Sequence, residues 1–151
     1  MDRPFLTIKL VETDRLGFLP LLLTGDESES MIMRYLDRGD LFVGYIGDEA
    51  VSVCVVTDEG HGITEVKNLA VAASFRRQGI GREMLRYVES LNAGRTVILG
   101  TGETPSTLRF YRSCGYVSSH RIPRFFTENY PDPIIEEGVL LQDMVYLKKT
   151  L

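Results

Sequence analysis

The chain predicts a mixed α/β fold whose central sheet is mostly antiparallel and flanked by helices, and three observations predict it. In the first half, apolar runs of strand period at 41–46, 50–57 and 63–71 are separated by short glycine-bearing turns, which is the pattern of hairpins. In the second half, a helix-period segment starting at Gly79 stands between two buried strand runs, which is the pattern of a crossover unit. Between the halves lies Ser-Phe-Arg-Arg-Gln-Gly-Ile-Gly-Arg, a basic turn with two glycines that leads from a strand into a helix.

Each element has a local reason. Residues 5–11 alternate apolar and polar side chains and read as a first strand. The apolar stretch 16–23 contains Pro20, which removes a backbone donor, so a short helix begins near that proline. Asp26 and Glu29 have the spacing of a capping box for a helix running to about Asp37, with Met31, Ile32, Tyr35 and Leu36 on one face and Gly39 at its stop. Gly47-Asp48 joins the next two strands, and Asp58-Glu-Gly-His-Gly turns the chain into the strand 63–71. From Gly79, Ile80, Met84, Leu85, Val88 and Leu91 follow helical spacing, Arg82, Glu83, Arg86, Glu89 and Asn92 face outward, and Gly94 closes the segment. A short strand at 96–99, a loop at 100–105, a helix opened by Pro105 and Ser106 and ending at Gly115, and a strand beginning at Tyr116 follow. Residues 121–138 contain three prolines and the aromatics Phe125, Phe126 and Tyr130 and read as loop; a last strand spans 143–148.

Composition narrows the function. With 151 residues, 44% of them apolar, the chain is expected to form one domain with its own core. The 17 basic and 21 acidic residues leave a net charge of -4, which argues against a general nucleic-acid binder. Cys54 and Cys114 are far apart, with no Cys-x-x-Cys pair, so reduced thiols are expected and no metal. Asp2 and Arg3 are followed by no apolar core of signal-peptide length, and no apolar run is long enough for a membrane span, so a cytoplasmic protein with no membrane partner is expected.

The basic turn supplies the chemistry. A helix start leaves backbone N–H groups without intrahelical partners and carries partial positive charge, so a diphosphate there accepts several N–H bonds. Gly79 and Gly81 let the backbone approach, and Arg76, Arg77 and Arg82 add charge suited to phosphate. The spacing Arg76-x-x-Gly79-x-Gly81 is neither a dinucleotide fingerprint nor a Gly-Lys-Ser/Thr loop.

Strand, turn and helix together resemble the acetyl-CoA-binding motif of the GNAT superfamily of N-acetyltransferases. Downstream, Leu-Arg-Phe-Tyr-Arg-Ser-Cys-Gly-Tyr over 108–116 is similar to the family's second motif, a helix carrying a tyrosine and ending in Gly-Phe or Gly-Tyr. The resemblance implies a sheet splayed between its fourth and fifth strands, with the pantetheine arm of acetyl-CoA in the splay. Parted strands leave N–H and C=O groups unpaired, which an amide-bearing arm can occupy. It further implies coenzyme binding by Leu69, Ala70, Val71, Arg76, Arg77, Gln78, Gly79, Ile80, Gly81 and Arg82, backbone N–H groups near 69–71 that polarise the thioester carbonyl, and Tyr111 as the acid near the sulfur. Where many members carry an asparagine before the second-motif helix, this chain has Glu-Thr-Pro-Ser; Ser106 either substitutes through its hydroxyl or caps the helix, the cap being favoured.

For the base, Glu65 opens the fourth strand where several family members place a catalytic glutamate, and a carboxylate facing a cleft is partly desolvated. The alternative is an exposed strand-start glutamate. His61 and His120 are isolated imidazoles. Strict alternation puts Glu65, Lys67 and Leu69 on one face of that strand and Val66, Asn68 and Ala70 on the other. Acids at Asp26, Glu27, Glu29, Glu136 and Glu137 favour a cationic small-molecule acceptor, or form a solvated surface. The expected activity is transfer of acetyl from acetyl-CoA to a primary amine, by direct attack in a ternary complex, in a monomer or homodimer. A non-catalytic acyl-CoA-binding regulatory module and an acetyltransferase of protein N-termini or lysines are the alternatives.

Overall fold

The computed structural model describes residues 4–151; Asp2 and Arg3 lie outside the described residues. Strands β1 (Leu6–Val11), β2 (Asp40–Ile46), β3 (Glu49–Gly60), β4 (Ile63–Val71), β5 (Thr96–Gly102), β6 (Val117–Ile122) and β9 (Met144–Thr150) form one seven-stranded sheet in the order β1-β2-β3-β4-β5-β9-β6. A separate small hairpin pairs β7 (Ile135–Glu136) with β8 (Val139–Leu140). Among the described residues only β4 and β5 run parallel, and every other ladder is antiparallel. Helix α3 (Ile80–Ser90) is the connection that a parallel neighbour requires.

Two cores lie on opposite faces of the sheet. Helices α1 (Leu19–Gly25) and α2 (Glu29–Met33) bring Leu22 and Ile32, with Tyr35 and Leu36 just beyond α2, against Leu41, Val43, Val53, Val55 and Ala70. On the other face, Ile80, Met84, Leu85 and Val88 of α3 meet Val51, Cys54, Val56, Val66, Val97 and Leu99. Phe110 and Tyr111 of α4 (Pro105–Ser113) pack against the same core. Leu91, expected on the apolar face of α3, instead follows the last helical residue and is 57% exposed.

Other boundaries moved for local reasons. The capping box expected at Asp26 and Glu29 is not formed: the Ser28 hydroxyl caps α2 by accepting from the Met31 N–H at 3.2 Å, and Asp26 Oδ1 takes the Ser28 N–H. The helix also ends at Met33, and the chain reaches Gly39 through single turns. The β3–β4 turn contracts to His61-Gly62, both with positive φ (55° and 74°), so β3 extends to Gly60. The expected loop 100–105 is largely strand, because β9 pairs with β5 as far as Gly102. The expected loop 121–138 includes a short helix, α5 (Phe125–Asn129), and strand β7. Among the described residues no helix is long and apolar enough to cross a membrane.

Candidate active site

The site begins with an irregularity in β4. Val56 of β3 pairs with Val66, but the preceding Val55 pairs with Asn68, so Lys67 is an extra residue, a β-bulge. The bulge reverses the alternation and corrects the facing expected from strict period two. Val66 lies in the α3 core, whereas Asn68 and Ala70 join Glu65 on the face of α1 and α2. Asn68 Nδ2 donates to the Leu22 carbonyl at 2.9 Å and to Tyr35 Oη at 3.1 Å. Leu69 and Val71 turn to the opposite core.

At the same level β4 and β5 part. They pair from Ile63–Thr96 to Val66–Leu99; beyond that point β5 pairs with β9 alone, while β4 keeps only β3. The inner edge of β4 over residues 67–71 therefore faces a cleft of about 250 Å³ lined by Lys67, Asn68, Leu69, Gly100, Thr101, Thr107 and Tyr111 among others. A second cavity of about 280 Å³ adjoins it, sharing Asp26, Lys67, Tyr130 and Met144 and adding Glu65, Tyr35, Phe125 and Tyr146.

Tyr111 sits at the cleft wall, edge-on to Phe110 at 5.1 Å and to Tyr116 at 6.1 Å. Burial pushes its phenol above the ordinary tyrosine range, with Cys54 and Cys114 adding to the effect, so it holds its proton at neutral pH. Glu65 is buried, 6% exposed, and its Oε2 accepts from Tyr146 Oη at 2.9 Å and pairs with Lys67 Nζ at 2.9 Å. The exposed strand-start alternative for Glu65 does not hold. Nothing in the sequence pointed to Tyr146; the contact joins residues 81 apart, and only the β5–β9 pairing brings them together. His61 occupies the β3–β4 turn, and His120 stacks on Tyr146 at 4.5 Å and 8°.

The basic turn starts α3 at Gly79, whose φ is 79° and beside whose absent Cβ there is open space. Arg77 is also left-handed, at φ 63°, a conformation that costs a residue with a Cβ roughly 1–2 kcal/mol. Arg76 Nε donates to the Val71 carbonyl at 3.2 Å, holding the turn onto the end of β4. Ile80, Gly81 and Arg82, as first residues of α3, present N–H groups that the helix itself leaves unpaired. At Gly81 a Cβ would meet Phe110 at 3.3 Å, so its smallness also serves the contact of α3 with α4. The Arg82 guanidinium reaches Ser113 at 2.8 Å and 3.1 Å, tying α3 to α4.

Ser106 does not cap α4. Thr104 occupies that position, its hydroxyl bonded to that of Thr107 at 2.9 Å, while Ser106 donates to Glu137 Oε2 at 2.5 Å. Among the acids, Asp26 accepts from Tyr130 Oη at 2.7 Å and Tyr35 Oη at 3.2 Å, which carries α5's end across to the α1–α2 junction. Glu136 also lines the cleft, its carboxyl raised by burial and by the charges of Glu27 and Glu137. Glu29 lines neither cavity.

A strand edge left open beside a protonated phenol, above a basic helix start, is the layout of an acyltransferase fed by coenzyme A. Residues 37–118, more than half of the chain, match the family model for the acetyltransferase (GNAT) domain. The chain is 30% identical to the N-acetyltransferase YvbK of Bacillus subtilis, over 97% of each chain. A GNAT family acetyltransferase from Elizabethkingia anophelis, solved with acetyl-CoA bound, is 31% identical, with a TM-score of 0.91 over 97% of this chain and 98% of its own. A Bacillus subtilis acetyltransferase solved with CoA is 30% identical, with a TM-score of 0.87 over 97% and 99% of the two chains. The chain belongs to the GNAT family and is an acetyl-CoA-dependent acetyltransferase.

Proposed function

We propose that the protein acetylates the primary amine of a small molecule by direct attack in a ternary complex. The observation that carries this reading is the parting of β4 from β5 beside Tyr111. Backbone N–H groups of Gln78, Gly79, Ile80, Gly81 and Arg82, with the charges of Arg76 and Arg77, hold the pyrophosphate; Leu69, Ala70 and Val71 offer their backbone to the arm. Bound there, acetyl-CoA supplies an activated thioester. Tyr111 donates its proton at the sulfur, and Glu65 takes one from the amine. Ser106, next to Thr107 of the cleft wall, can turn its hydroxyl from Glu137 to the arm. That relatives of about 30% identity were solved with acetyl-CoA and CoA supports the coenzyme reading.

A small acceptor is favoured over a protein because the acceptor side is a cavity of about 280 Å³, of small-molecule size, two of whose lining residues, Tyr130 and Asp26, are bonded to each other. Asp26 and Glu65 in this cavity, and Glu136 in the adjoining cleft, are carboxylates that an amine arriving as an ammonium can pair with, among the cations Arg34, Arg38 and Lys67 on the acceptor-cavity walls. Calorimetry with acetyl-CoA, followed by thiol release across polyamines, aminoglycosides, arylalkylamines and N-terminal peptides, tests the reading. Saturable binding with turnover on a non-peptide amine is expected. Binding without turnover on any amine would favour a regulatory module, and turnover on peptides alone would move the acceptor to proteins.

A further inference from the structure

Glu65 is held with unusual care for a residue on an interior strand. Tyr146 Oη donates to Oε2, and Lys67 Nζ is ion-paired with the same oxygen, each at 2.9 Å. The three residues line one wall of the 280 Å³ cavity on the acceptor side. Neither donor is a chance neighbour. Lys67 is the bulged residue of β4, and the seat of the Tyr146 ring is kept clear by Gly100, where a Cβ would lie 2.9 Å from the ring and 2.5 Å from Met144 Sδ. The His120 ring covers the face of Tyr146. Burial, then the charge of Glu65, raises the Tyr146 phenol, so it remains a donor throughout the neutral range.

We propose that Tyr146 and Lys67 are positioning residues of the acetyl transfer: together they fix Oε2 of Glu65 so that Oε1 alone receives the proton of the acceptor amine. The inference rests on the reading of Glu65 as base given above. The proton balance is simple. An ammonium N–H bond breaks, its proton passes to Oε1, and the nitrogen lone pair is freed for attack. A carboxylate that swung between two orientations would spend part of its time with its accepting oxygen turned from the cavity, and fixing one oxygen removes that loss. The other charged or titratable groups of this cavity are Arg34, Arg38, Tyr35, Tyr130 and Asp26; Glu59, ion-paired with Arg38 at 2.8 Å, is felt by Tyr146, and His120 lies on the outer face of Tyr146.

The test compares wild type with Tyr146→Phe, Lys67→Met and Glu65→Gln. The pH dependence of kcat/KM is measured with the fastest amine of the panel, and the side-chain carboxyls of 13C-labelled glutamate are titrated by NMR, with Glu65→Gln assigning the signal. Phenylalanine preserves the ring and its stacking, and Lys67→Met, at a partly exposed position, serves where Tyr146→Phe fails to fold. Each removes one donor to the ionised carboxylate, so the Glu65 signal and the acidic limb of the rate profile should both move up by about one pH unit, with KM for acetyl-CoA changed less than about twofold. Glu65→Gln should abolish that limb. An unmoved Glu65 signal in both variants would overturn the clamp while leaving the base reading intact. A signal that moves while the acidic limb stays in place would remove Glu65 from the proton transfer and overturn the proposal through the reading it rests on.

Discussion

The two ends of β4 are built from one continuous strand and are held in opposite ways. From Ile63 to Val66 it has partners on both sides, and its start is pinned further: Arg95 Nε and Asn92 Oδ1 both bond the Thr64 hydroxyl at 2.8 Å, and Arg95 also reaches the Ile63 carbonyl and Asp58. Beyond the bulge at Lys67, the strand keeps β3 and leaves its other edge to a cleft. The first part has its backbone groups satisfied within the fold; the second leaves on its open edge N–H and C=O groups for which a ligand is the natural partner. The bulge is the hinge of this division, and it also turns Asn68 to the face that Glu65 occupies. Stability and chemistry are thus separated by one inserted residue.

That division can be broken from either side. Tyr111→Phe strikes the open end alone: kcat should fall by about 10²–10⁴, the usual contribution of a positioned acid, while the coenzyme dissociation constant and the urea midpoint hold. A rate close to wild type would remove the phenol from the mechanism. Leu99→Ala strikes the paired end, where the side chain is 1% exposed; it should cost about 2–5 kcal/mol in urea denaturation, with kcat of the remaining folded protein nearly unchanged. Loss of turnover out of proportion to unfolding would show that the two ends are coupled. Tyr130→Phe removes the bond to Asp26 between two lining residues of the acceptor cavity and should lower stability by about 1 kcal/mol and raise KM for the amine without altering that for acetyl-CoA. An unchanged amine KM would mean that this bond has no part in acceptor binding.

The basic turn and helix start assigned to the coenzyme were legible as local structure because their parts are adjacent in the chain. Arg76, Arg77, Gly79 and the start of α3 are consecutive, and a helix start presents its N–H groups whatever surrounds it. The facing of Glu65 and Asn68 was not legible, since period two is the only rule a strand sequence offers and a bulge leaves no mark in composition. The second demand on Gly81, room for Phe110, was not legible, because that neighbour is contributed by another helix. Tyr146 gave no signal as a site residue, and although Asp26 stood out as an acid and Tyr130 as an aromatic, nothing marked them as partners of each other. Their bonds span 81 residues in one case and 104 in the other, and no local pattern encodes a partner at that distance.

The sequence by itself determined the alternation of strands and helices, the basic glycine turn and the tyrosine-bearing second helix, each of which follows from propensities and spacings within a few neighbouring residues. The tertiary structure alone decided where β4 and β5 part, which way Glu65 faces, and which phenols and cations surround it. Register and long-range contact depend on how whole strands pack against both cores at once, and that is a property of the assembled sheet rather than of any segment in it.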